Sequence, residues 1–391
     1  MLKRSFVCLL CILIVFASVT ITVCAESSVL DTKNDILSYE LQKSDKESVQ
    51  EWIDSVFPTS FEGVSEWYVL GLSQTGDYDF SAYARALVQY VNEKEITNPV
   101  TKQKYALALL ASGYSSDFVQ KTADECVGKL GIMSYVYALH LAENGFAPRN
   151  MDSKAIVGKL LEKELEGGGF PVTGSIFDVD VTAMVLQALE SFQNEENVSP
   201  VIERALTRLS EAQTENGGFI NYGVENAESA AQIIIMMAAL DIELTDNRFV
   251  KNGNTVLDAL LSFQCENGGF AHTIGAEAGA QPTAQAYLAF CALENGSFYG
   301  LNGLDDLSHI VYTPSSEAEE EEPTVSWRIY ALIVIGAAVI LGWLLLIIFK
   351  KRHYKNFLLV FLLGAVLGLL IFTLDFQSAD DISISVMTEI R

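Results

Sequence analysis

Positive charge is what this chain has least of: 25 Lys and Arg stand against 50 Asp and Glu over 391 residues, a formal net charge of −25. That deficit excludes nucleic acid as a partner, because phosphate neutralisation needs a basic face. It also weighs against electrostatic docking onto anionic lipid, and it reads as a solvated acidic surface. A cysteine framework is missing too. Three of the six cysteines fall in the apolar N-terminal stretch, leaving Cys126, Cys265 and Cys291, odd in number and without C-x-x-C spacing. No disulfide set follows from that pattern, and the three read as small buried apolar residues. Cys265 and His272 are close in sequence, but no second tight pair accompanies them, so zinc is not expected and no cofactor is predicted. Finally, no alternating strand pattern is present, which leaves little room for a sheet domain.

What the chain does have begins at its ends. Residues 1–25 carry Lys3 and Arg4, an apolar stretch to about Val19, and Val23-Cys24-Ala25 before Glu26, the layout of a secretory signal. An uncleaved N-terminal anchor is the alternative. Residues 26–44 are set apart as a leader. Near the other end, 330–349 and 357–374 are apolar runs long enough to span a bilayer, separated by the basic cluster 350–355 (KKRHYK). Positive loops stay cytoplasmic, so 328–376 is expected to be a transmembrane hairpin anchored in the lipid bilayer. The domain before it, and the tail 377–391, then lie outside the cell. Residues 313–327 form an acidic, self-repelling linker. A secretory signal with one cytoplasmic hairpin suits the plasma membrane of a Gram-positive bacterium.

Between these ends one phrase recurs: EGGGFPV at 166–172, ENGGFIN at 215–221 and ENGGFAH at 266–272. Each Gly-Gly-Phe precedes an apolar, small-residue-rich helix, at 182–192, 230–240 and 283–293. Each follows a segment with apolar residues at three-to-four spacing, such as VIERALTRLSEAQ (201–213) and VLDALLSFQ (256–264). Earlier apolar helices are readable at 64–73, 101–112 and 132–142, with amphipathic partners at about 46–56, 79–93, 115–127 and 151–165. A helix apolar all round must be covered on every side. Six such helices inside six amphipathic ones satisfy this, so the expected fold is all-α, an α6/α6 toroid over 45–312. Turn glycines would supply close approach and positive φ, and each Phe would plug the space between hairpins.

The spacings Gln213-x3-Gly217-x-Phe219 and Gln264-x3-Gly268-x-Phe270 resemble the Gln-Trp-type repeats of squalene–hopene cyclases and protein prenyltransferase β subunits. More narrowly, SEWYVLGL, DVDVTAM, NAESAAQ and PTAQAYLAF resemble bacterial surface proteins with prenyltransferase/squalene oxidase repeats. Those are similar in architecture to the corrinoid carriers transcobalamin and intrinsic factor, so the resemblance implies the toroid and admits a corrinoid as ligand. It does not fix a chemistry. The cyclase motif Asp-x-Asp-Asp-Thr-Ala is broken at Val181; no Asp-x-Cys zinc pair or Cys-Gly-Glu-Gln thioester run exists.

In such a toroid the starts of the inner helices would meet at one mouth. Aligned there are Asp178, Asp180 and Thr182, then Glu228 and Ser229, then Thr283, with Met184, Gln232 and Gln285 one turn further in. The earlier helices add Glu66, Trp67, Gln103 and Lys104, and His140 lies deeper. Helix capping explains carboxylates and hydroxyls at these positions without any ligand. The functional alternative is a ligand-binding rim of polar tips over an apolar wall. It suits a small hydrophobic or corrinoid-like molecule that is passed to a membrane transporter partner. Two further readings stay open: an enzyme with Asp180 as acid and Asp178 or Glu228 as its partner, terpene-cyclase-like or carbohydrate-active, and a structural or protein-interaction module of the cell surface.

Overall fold

A computed structural model describes residues 29–296, Tyr299 and 305–307. The signal segment, the acidic linker, the two apolar runs and the tail lie outside these residues. Among the described residues the protein is all-α, with strands only two residues long, and no helix is long and apolar enough to cross a membrane.

Helix α1 runs through residues 29–44, where the sequence suggests only a leader. Then follow α2 (Val49–Ser55), α3 (Ser65–Thr75), α4 (Ser81–Glu93), α5 (Pro99–Ala111), α6 (Asp117–Cys126) and α7 (Met133–Glu143). The second half holds α8 (Ser153–Leu161), α9 (Val179–Ala188), α10 (Ser199–Ala212), α11 (Ala227–Ala239), α12 (Val256–Leu261) and α13 (Ala280–Asn295). Four strands are present: β1 (Tyr114–Ser115), β2 (Ile220–Asn221), β3 (Val224–Glu225) and β4 (Asp305–Asp306). β2 and β3 make an antiparallel hairpin, while β4 lies parallel to β1.

Two kinds of helix alternate. α3, α5, α7, α9, α11 and α13 are buried on nearly every side; every residue of α9 is buried. α4, α6 and α10 bury one stripe and expose the rest, as their three-to-four spacing dictates. The buried helices contact each other in the order α3–α5–α7–α9–α11–α13, and α13 packs back on α3. Polar bonds join their first two turns: Glu66 to Lys104, Gln103 to Ser134, Asp180 to Ser229, and Gln232 to Gln285. Those trios therefore run parallel, with their N-termini at one end. Tyr68 and Gly71 of α3 pack beside Tyr287 and Cys291 of α13, which sets α13 and α3 parallel as well. Cys126 and Cys291 are buried, as small apolar residues would be, and Cys265 is half-buried; all three are free.

The Gly-Gly-Phe turns lock one unit to the next. Gly168 and Gly268 have φ of 90° and 89°, and a Cβ on either would sit 2.6 Å from the carbonyl oxygen of Arg204 or Asp35. Gly217, at φ 86°, presses in the same way on the Thr255 carbonyl. Only glycine combines that φ with that approach. Phe170, Phe219 and Phe270 are each wholly buried. The first two turns thus press on α10 and on the start of α12, while the third presses on α1. α1 is therefore an integral helix: Ile36 is wholly buried, and Lys33 pairs with Glu294 at the end of α13.

Candidate functional site

The helix starts of α9 and α11 are capped by side chains, while α13 follows Gly279 without a side-chain cap. Asp178 Oδ1 accepts from Val181 N (2.9 Å), and Asn226 Oδ1 accepts from Ser229 N (2.9 Å). The N–H of Asp178, Asn226 and Gly279 donates in turn to the carbonyl of Phe170, Phe219 and Phe270. One turn on, the Thr182 and Thr283 hydroxyls each accept from the N–H of Phe170 and Phe270, both at 2.9 Å. Each also donates to the carbonyl of Asp178 or Gly279, both at 2.6 Å. These threonines tie the turn to the helix, a structural duty that the repeat spacing dictates.

The remaining polar groups of this half engage one another. Ser229 Oγ donates to Asp180 Oδ1 (2.6 Å), and Asn221 Nδ2 approaches Asp178 Oδ1 (3.4 Å). Gln187 Nε2 donates to Gln232 Oε1 (3.1 Å), whose Nε2 donates to Gln285 Oε1 (2.9 Å), a ladder across α9, α11 and α13. Glu228 Oε2 meets His272 Nδ1 at 2.9 Å. Asp178, Asp180, Ser229, Gln232 and Gln285 are buried, and Met184 joins the core. The expected rim is thus a sealed hydrogen-bonded seam between helices.

The other trio differs. Glu66 Oε1 pairs with Lys104 Nζ at 3.3 Å, but Glu66 Oε2 is buried with no hydrogen-bond partner. Gln103 Nε2 donates to the Ser134 carbonyl (2.9 Å), while its Oε1 is buried and unpartnered. The Tyr137 hydroxyl is likewise buried and unpartnered. Lys104 Nζ lies 5.9 Å from the centre of the Trp67 ring, and Trp67 itself is buried. Glu66, Trp67, Lys104 and Tyr137, with Leu70, Leu107 and Tyr299, line a cavity of about 10 Å³. It is narrow, with room for barely one water-sized sphere.

Tyr299 closes this space from the far end. Its ring stacks on His140 with centroids 3.7 Å apart, and Asn144 Nδ2 donates to its carbonyl. Further along, Asp305 N donates to the Gly113 carbonyl (2.9 Å) and Leu307 N to the Ser115 carbonyl (2.8 Å), just beyond the end of α5. Burial pushes the His140 imidazole down to about 3, so it is neutral, and pushes the Tyr299 phenol up. Among the described residues no group of three His, Cys, Asp or Glu side chains is arranged to hold a metal.

Of the residues singled out in the sequence, Trp67, Glu66 and Lys104 come together at the cavity. Asp178, Asp180, Thr182, Glu228, Ser229, Gln232, Thr283 and Gln285 stand in the sealed seam. Tyr137 and Tyr299 carry no site signal in the sequence, and His272, weighed there only beside Cys265 for zinc, pairs with Glu228. Tyr137 reads as an ordinary core aromatic, and Tyr299 follows the last helix where no periodicity points to burial. No known protein-family model matches the chain, and no curated protein matches it.

Proposed function

We propose that the protein is a membrane-tethered, extracytoplasmic α6/α6 toroid whose lumen binds a small polar molecule, and that it acts by binding rather than by catalysis. The contact order of the six buried helices supports the toroid, and the apolar runs with their basic turn support the tether. One observation carries the ligand: Glu66 Oε2 and the Tyr137 hydroxyl are buried and unpartnered around the same cavity. Leaving such groups unmatched costs about 1–3 kcal/mol each, a cost that a fitting guest removes. Glu66 offers an acceptor, Lys104 spare donors and Trp67 an aromatic face. A guest with both an ammonium and a carboxylate, of amino-acid or betaine type, matches that set.

With room for about one water-sized sphere, far below ordinary ligand pockets of about 300–1,000 Å³, the space admits a zwitterion only once the Tyr299 ring is displaced, and a corrinoid would have to sit outside it. Displacing the Tyr299 ring is the direct way to enlarge it. An enzyme built on Asp180 draws little support, since that carboxylate is engaged by Ser229. The structural-module reading keeps one observation in its favour, namely that the cavity beside Tyr299 has room for barely one water-sized sphere.

Thermal-shift and native mass-spectrometric screens of the full chain test the proposal, with amino acids, betaines, corrinoids and isoprenoids. A small zwitterion should bind, and Glu66→Gln should abolish that binding. If neither the wild type nor Tyr299→Ala binds any member of the panel, the structural module stands instead.

A further inference from the structure

Six large apolar side chains are exposed among the described residues, and five of them fall in three equivalent loops. These loops lead from each Gly-Gly-Phe turn to the start of α9, α11 or α13. Ile176 (81% exposed) tops the first, Ile220, Tyr222 (68%) and Val224 the second, and Ile274 (64%) the third. A single exposed isoleucine means nothing. The same placement in three consecutive units is a pattern rather than scatter, and repeated large apolar exposure points to an interaction site.

The loops stand side by side. Asn221 of the second reaches Asp178 at the base of the first (3.4 Å). Ala227 N, at the base of the second, donates to the His272 carbonyl of the third (3.2 Å), and Glu228 pairs with the His272 ring. Their shape is set by the backbone: Gly174, Gly223 and Gly275 have φ of 69°, 85° and 83° beside the apolar tips. The β2–β3 hairpin and the Ala271–Ala278 bridge hold the second and third loops in place. The apolar tips are therefore displayed on fixed supports.

Charge and chain path narrow the occupant. No Lys or Arg occurs in 164–203, 209–247 or 252–296, the segments that carry these loops. Glu225 and Glu277 lie on the loops and Glu166, Glu215 and Glu266 on the adjoining turns, with Arg208, over the Phe177 ring, as a nearby cation. Both ends of the described chain leave from the opposite end of the helices: Lys33 sits by Glu294, and Leu307 by Ser115. Among the described residues neither chain end lies on the loop face. We propose that it docks a basic, apolar-bearing peptide segment of another protein, with the loop tips as anchors and the carboxylates as a complementary rim. Two copies would bring two acidic faces together, and anionic lipid would meet the same repulsion.

The test is photo-crosslinking of the full chain in zwitterionic nanodiscs, with a benzophenone-bearing peptide that alternates Leu with Lys, mapped by mass spectrometry. A peptide alternating Ser with Lys and empty nanodiscs serve as controls. Crosslinks should fall in 171–177, 220–225 and 271–278, and the Leu/Lys peptide should bind about tenfold more tightly than the Ser/Lys one. The triple variant I176S/Y222S/I274S should lose about tenfold in affinity while keeping its thermal midpoint, and L30S should lose nothing. Crosslinks spread over the acidic surface, unchanged binding by the triple variant, or competition by phosphatidylcholine vesicles would each overturn the proposal.

Discussion

The two trios of buried helices carry polar residues at matching depths and use them in opposite ways. In α9, α11 and α13 the first turns close on one another: cap to backbone, Ser229 to Asp180, Gln187 to Gln232 to Gln285. In α3, α5 and α7 the same depth holds Glu66, Gln103 and Tyr137, each with a buried oxygen left unmatched. Only the first trio follows the Gly-Gly-Phe turns. At the starts of α9, α11 and α13 each helix presents its neighbour with a complementary partner; around α3, α5 and α7 complementarity lapses and a cavity remains. A polar residue in a buried helix start therefore marks a site only when its neighbour fails to answer it.

The largest expected effect breaks the regular half. Gly168→Ala places a methyl group against the Arg204 carbonyl at an unfavourable φ and should cost at least about 3 kcal/mol in denaturant unfolding. Gly174→Ala, at φ 69° with open space around it, should cost only about 1 kcal/mol. Equal losses would mean that the close contact is not what locks the units.

Acid should act next, and on the irregular half. His140 is held near pKa 3 by burial against a reference value of about 6.5. Below about pH 6.5 the unfolded chain binds a proton that the folded chain refuses, so stability falls as pH falls. At pH 5 the loss should be about 2 kcal/mol. His140→Phe, which keeps a ring for Tyr299 to stack on, should flatten the stability profile between pH 5 and 6.5; an unchanged slope there would refute the assignment.

The sharpest test of the comparison is smaller. Ser229→Ala withdraws a donor from buried Asp180 and should cost about 1–3 kcal/mol. Tyr137→Phe removes a hydroxyl that has no partner, and should stay within about 1 kcal/mol of wild type. Comparable losses at the two positions would erase the distinction between the halves.

The alternation of all-round apolar and one-sided helices is legible in the sequence because it is local: SEWYVLGL or AAQIIIMMAAL has no polar face to offer water. The turn glycines and the cap at Asp178 are legible for the same reason. Helix 29–44 is not, because the burial of Lys33 and Glu40 depends on Glu294 and on the Tyr68 hydroxyl. The cavity is not legible either. Nothing in the local sequence tells Asp180, which finds Ser229, from Glu66, half of whose carboxylate finds nothing. Tyr299 arrives from beyond the last helix, where no period predicts its burial.

The docking of α1 on the third turn has a consequence in time. Lys33 and Glu294 are 261 residues apart, and Gly268 presses on Asp35. As the chain emerges from synthesis, the flank of α1 that meets α13 must wait for α13 before it is covered. Closure is thus a single late event that costs loop entropy up front. Every shorter nascent form presents an uncovered flank on which chaperones or neighbouring chains can settle.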